Sequence, residues 1–113
     1  MKQEQNMENH EKLVYIASPY AGDVTRNTRF ASACCRYAIR QGYTPIAPHL
    51  LYPQMLDDEV PEERKIALAL GLNLLAVCDE VWVCGERISS GMEGEIEHAR
   101  SLDIPIRYIK EIA

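Results

Sequence analysis

Leu13-Val14-Tyr15-Ile16-Ala17-Ser18-Pro19-Tyr20-Ala21-Gly22-Asp23 decides how the rest of the chain is read. Its first five residues are a short, nearly continuous apolar run, suited to a central strand covered on both faces. The Pro and Gly that follow enforce a loop at the carboxyl end of that strand. From Thr25 to Gln41, apolar positions recur at helical spacing through Phe30, Ala33, Cys34, Tyr37 and Ala38, and Gly42 follows as a C-terminal cap. Tyr43 to Ala47 then reads as a second strand, completing one parallel β-α unit.

The unit repeats in kind, though not in sequence. Pro48-His49-Leu50-Leu51-Tyr52-Pro53-Gln54 runs into a longer loop whose Asp57-Asp58-Glu59 reads as a solvated acidic turn. Pro61-Glu62-Glu63 starts a helix with favourable N-terminal acids, and that helix carries Ile66, Leu70, Leu74 and Val77. Gly71 inside it costs up to about 1 kcal/mol relative to Ala, which points to close packing. Glu80-Val81-Trp82-Val83-Cys84 is strand three, Ser90 to Leu102 a helix, and Pro105 to Ile109 strand four. The expected fold class is α/β: a single three-layer flavodoxin-like or Rossmann-like domain over residues 13–113, with a parallel sheet ordered 2-1-3-4 if the crossovers are right-handed.

That order reverses the winding between strands one and three, so the loops after them border one crevice at the carboxyl ends of the strands. Ser18, Tyr20, Asp23 and Asn27 enter it from the first loop, His49 from the second, and Ser89, Ser90, Gly91 and Glu95 from the third. Glu95 is the informative member. At about 100° per residue, Met92, Ile96, Ala99 and Leu102 form an apolar stripe and Glu93 and Glu97 fall on the opposite flank. Glu95 sits between Ala99 and Leu102 on the face turned toward the sheet, where a carboxylate is costly unless something hydrogen-bonds it. Ser89 or Tyr20 is placed to supply that bond, and the amides of the helix start favour the charged form.

Composition narrows the class of ligand. The 113 residues carry a formal net charge of −5 with 47% hydrophobic and 26% charged residues, enough for one modest core and unfavourable to a phosphate-backbone binder. A small molecule is the expected partner, not a nucleic-acid polymer or a membrane. Met1 to Lys12 is polar and charge-mixed and reads as a disordered tail rather than a signal peptide. Cys34 and Cys35 within a helix, and Cys78 and Cys84 around a strand, lack metal-ligand spacing and read as reduced core thiols of a cytoplasmic protein. His10, His49 and His98 lie far apart, and neither a Walker motif nor G-x-G-x-x-G occurs, so no metal and no cofactor are expected.

These residues resemble the nucleoside 2-deoxyribosyltransferase-like enzymes, including the 2'-deoxynucleoside 5'-monophosphate N-hydrolases. The resemblance runs over most of the chain after the tail and rests on Val14-Tyr15-Ile16-Ala17-Ser18-Pro19-Tyr20, on Asp79, and on Ser89-x-Gly91-x-x-x-Glu95. It implies that Tyr20 lines a nucleobase pocket, that Asp79 assists proton transfer near the base, that Glu95 attacks the anomeric carbon, and that Ser89 contacts a 5'-phosphate. The sequence departs from the hydrolases in its first loop, where Ala21-Gly22-Asp23 stands in place of a basic residue and leaves Arg26, Arg29 or Arg87 as substitutes. The implied reaction is cleavage or transfer at the N-glycosidic bond of a deoxynucleoside or its monophosphate, by a homo-oligomer. The alternatives are a nucleotide-derivative binding protein of the same fold and an assembly module without a ligand. For Asp79 the plain rival is a cap on the turn between helix and strand.

Overall fold

Alternation along the two central strands divides the core. Val14 and Ile16 of β1 (Leu13–Ala17) and Trp82 and Cys84 of β3 (Glu80–Cys84) point to one face, while Tyr15, Ala17, Val81 and Val83 point to the other. A strand whose successive side chains are all buried needs a layer on each side, and the helices supply both. The structure, a computed structural model, describes residues 10–112. The expected tail therefore lies, for residues 1–9, outside the described residues.

Helix α1 (Val24–Arg40) covers the first face with Cys34 and Ala38. Helices α2 (Pro61–Ala76) and α3 (Ser90–Ser101) cover the second with Leu75, Met92, Ile96 and Ala99. Between them lies a wholly parallel sheet in the order β2-β1-β3-β4, with β2 (Thr44–Ile46) and β4 (Ile106–Ile109) at its edges. Topology and layers are those read from the sequence. All four cysteines are free; burial holds the Cys35 and Cys78 thiols up in their protonated form, and a hydrogen bond with Cys84, then burial, does the same for Cys34.

The differences lie at edges and on helix faces. Tyr43 is not in the ladder: its amide donates to Ala38 O as α1 closes, past Gly42 at φ +87°, and its ring packs edge-on against Trp82 at 4.9 Å. Pro48–Leu50 and Tyr52–Gln54 coil into two 3-10 turns where an open loop was expected. Leu102 is not part of the buried stripe; it follows α3 as the capping residue and stands 44% exposed. On α2 the expected apolar set is displaced: Ile66 and Val77 are exposed, whereas Gly71 and Leu75 are buried. That helix is apolar nearly all round, so periodicity does not select the face it buries.

Candidate active site

The cavity opens where the winding reverses, at the carboxyl ends of β1, β2 and β3. Its volume is about 380 Å³, within the range of small-molecule sites. Three walls build it. The loops after β1 and β2 contribute Ser18, Tyr20, Pro48, His49 and Tyr52. The start of α3 contributes Ser89, Ser90, Gly91, Gly94 and Glu95, and α2 contributes Arg64, Ala67, Leu68, Gly71 and Leu72. The α2 set repeats at i, i+3, i+4, i+7 and i+8, one continuous helical stripe turned to the cavity.

Glu95 lies in the first turns of α3 with its carboxyl group against the sheet. The Tyr15 hydroxyl donates to its Oε2, and its Oε1 is buried without a hydrogen-bond partner. Burial pushes the carboxyl up to about 7, and the Tyr15 bond pulls against that rise. Tyr15 itself is held firmly protonated by its burial and by the neighbouring Glu95. The expected partners of Glu95 are thus replaced. Ser89 uses its hydroxyl to cap α3, accepting from Met92 N at 3.3 Å, and Tyr20 instead stacks on His49, with ring centroids 5.1 Å apart.

The second orphan is Ser18, 1% exposed, whose Oγ also lacks a partner. Buried polar atoms are nearly always satisfied, so two such atoms in one cavity mark where a ligand's own polar groups belong. His49 is held neutral: burial lowers its pKa, opposed by a hydrogen bond with the Ser18 backbone and by nearby Asp58. Gly91 and Gly94 leave the α3 backbone bare at this wall, and a Cβ on Gly94 would meet nothing within 4 Å. Inside a helix a bare position costs about 1 kcal/mol relative to Ala, and here it leaves room for close approach.

Of the residues expected in the crevice, Ser18, Tyr20, His49, Ser89, Ser90, Gly91 and Glu95 come together. Asp23 and Asn27 do not. Asp23 caps α1 by accepting from Arg26 N at 3.1 Å, and Asn27 ties its own loop by donating to Tyr20 O and Ala21 O at 3.0 and 3.1 Å. Asp79 is also corrected. It precedes β3 at the amino end of the sheet, accepts from Leu13 N at 2.7 Å, and is absent from the lining of the cavity. It ties the start of β1 to the start of β3 and does not line the cavity.

Four contributors escaped the sequence reading. Tyr15 reads in sequence as one apolar residue among five, although a phenol facing the helix that carries a misplaced acid is a signal. Asp58, taken as solvated, lines the cavity and forms a 3.1 Å ion pair with Arg64. Arg64 is the cavity's arginine, while Arg26, Arg29 and Arg87 stand outside its lining. Tyr52 comes in because the 3-10 turns fold the loop back. Among the described residues no group of three or more His, Cys, Asp or Glu is placed to hold a metal ion, and no helix is long and apolar enough to cross a membrane.

A family model described as Domain of unknown function (DUF7768) matches residues 12–109. No curated protein matches the chain by sequence. Among solved structures, a 2-deoxyribosyltransferase from the psychrotolerant bacterium Bacillus psychrosaccharolyticus is similar over 89% of this chain and 76% of its own, with a TM-score of 0.70 and 18% identity. At that identity the likeness is one of fold.

Proposed function

The chain belongs to the DUF7768 domain family, and from that footing we propose that it cleaves or transfers the N-glycosidic bond of a deoxynucleoside or deoxynucleoside 5'-monophosphate, with Glu95 as nucleophile. One observation carries the proposal: a buried carboxylate oxygen without a partner, Glu95 Oε1, lining a cavity that the Tyr20–His49 stack also lines. The shared fold with a 2-deoxyribosyltransferase supports it.

Breaking a C1'–N bond builds positive charge on the sugar and negative charge on the departing base. Oε1 attacks C1' while Tyr15 holds Oε2, which fixes the rotamer and aims Oε1 at the sugar; the carboxylate becomes a neutral ester. The bond to the base breaks and its electron pair leaves with the base. Water, or a second base, then attacks C1' from the vacated side and restores the carboxylate. Gly91 and Gly94 let the sugar lie against the helix backbone, Tyr20 and His49 give the base a flat wall, and the free amides at the start of α3 suit a 5'-phosphate. Self-association belongs to the same reading and is supported by Ile66 on α2 and Val77 just after it, which stand exposed.

The test is release of free base from a panel of deoxynucleosides and their monophosphates, with and without an acceptor base. Glu95→Ala is expected to abolish release while nucleoside binding persists. Binding without turnover in the wild-type protein would instead favour a nucleotide-derivative binder.

A further inference from the structure

Arg64 and Asp58 have no part in the chemistry above, yet both line the cavity. Their ion pair is half exposed, with side chains 50% and 38% accessible, and such pairs contribute little to stability. Its use lies in geometry. The contact engages Arg64 Nη1 with Asp58 Oδ2, and among the described residues the other guanidinium donors and Asp58 Oδ1 have no hydrogen-bond partner. A planar donor fork therefore stands beside a carboxylate acceptor, both held in register.

The position along α2 fixes what this fork meets. Gly71, where an added Cβ would sit 3.5 Å from the Tyr15 hydroxyl, marks the Glu95 end of the cavity. Arg64 lies two turns earlier on the same stripe, about 10 Å along the helix axis. A sugar held at Glu95 with its base turned along that span would bring the far edge of a bicyclic base toward Arg64. Adjacent acceptors N7 and O6, followed by the N1–H donor, are the edge that a guanidinium and a carboxylate side by side would pair with.

Resting on the reading above, we infer that Arg64, positioned by Asp58, binds the leaving base of a 6-oxopurine deoxynucleoside and carries the negative charge that develops on it. As Glu95 Oε1 bonds to C1', the C1'–N9 bond breaks and its electron pair spreads over the purine to N7 and O6. The Arg64 N–H groups stabilise that charge by hydrogen bonding, without giving up a proton, and the freed base takes its proton from solvent. Water then adds its oxygen to C1', releases a proton to solvent, and frees the Glu95 carboxylate. Arg64 is a catalytic residue in this scheme, and Asp58 both holds it in register and accepts from N1–H of the base.

Leaving-group chemistry tests it. A 7-methylated purine is already cationic and departs as a neutral base, so it has no negative charge for Arg64 to stabilise. Base release is measured with the full chain on 2'-deoxyguanosine, 2'-deoxyinosine, thymidine and 7-methyl-2'-deoxyguanosine, for wild type, Arg64→Gln, Arg64→Lys and Asp58→Asn. Arg64→Gln is expected to lower kcat/KM on the unmethylated purines about 100- to 1,000-fold, the scale of losing one charge-stabilising donor. The same variant is expected to release 7-methylguanine within a few-fold of wild type, which also shows that it is folded. Asp58→Asn falls less and mainly raises KM, and Arg64→Lys does not restore the rate because it lacks the fork. Equal loss on methylated and unmethylated substrates, or a wild-type preference for thymidine, overturns this inference and leaves the glycosyl-transfer reading standing. No release from any substrate by the wild type overturns both.

Discussion

Replacing Glu95 by Gln should make the protein more stable, and by an amount that depends on pH. The carboxyl titrates at its ordinary 4.5 in the unfolded chain and at about 7 in the folded one, chiefly because it is buried. A pKa raised on folding means that the native state favours the protonated form. The stability this provides is whole below 4.5 and is lost as pH rises through 7. At 1.36 kcal/mol per pH unit, the native state at pH 8 gives up about 3 kcal/mol that it holds at pH 4. A glutamine keeps the shape, offers Tyr15 an amide oxygen, and has no charge to desolvate. Urea melts at pH 4 should therefore agree between wild type and Glu95→Gln to within about 0.5 kcal/mol. At pH 8 the variant should be ahead by about 3 kcal/mol, or roughly 10 °C in Tm for a domain of this size. Carboxylates elsewhere titrate alike in both proteins and cancel. A difference that is the same at both pH values would refute the argument, because the side chain would then not be ionising across this range in the folded state.

Tyr15→Phe removes the bond that holds the Glu95 carboxyl down, so its titration should move above 7, and the acid limb of base release should shift toward alkaline pH. An unmoved limb would mean that the phenol does not tune the carboxyl. Asp79→Ala should cost about 1 kcal/mol in denaturant unfolding through loss of the bond to Leu13 N, with the rate of base release unchanged; a drop in rate with little change in stability would return Asp79 to the chemistry.

The fold was legible because each β-α unit states its period twice. Val14 to Ala17 and Val81 to Cys84 are buried at every residue, and an unbroken apolar run of that length between loop signals leaves little besides a central parallel strand. Order 2-1-3-4 then follows from handedness rather than from any single residue. What the sequence hid was the face of α2. Ile66, Leu70, Leu74 and Val77 form as regular a stripe as Ala67, Leu68, Gly71, Leu72 and Leu75, so tertiary packing alone chooses between them.

That choice is also why the site was half legible. Residues next to strand ends, such as Ser18, Tyr20, His49 and Ser89 to Gly91, are carried to the crevice by topology, and topology was known. Asp79 sits next to a strand end too, but at the amino end, where a parallel sheet places turn caps and not ligands. Arg64 and Asp58 reach the cavity only because α2 turns its 64/67/68/71/72 face inward and the 3-10 turns bring the acidic loop over it. Tyr15 was hidden differently. In β1 its burial is that of a core residue, and its hydroxyl acquires meaning only once α3 is laid on the same face of the sheet and brings Glu95 opposite. The misplaced acid was thus visible from α3 alone, while the group that answers it was not visible from β1 alone. A buried carboxyl predicted from one helix is best completed by asking which strand residue of the same face carries a polar atom, and here the only one among Tyr15, Ala17, Val81 and Val83 is Tyr15.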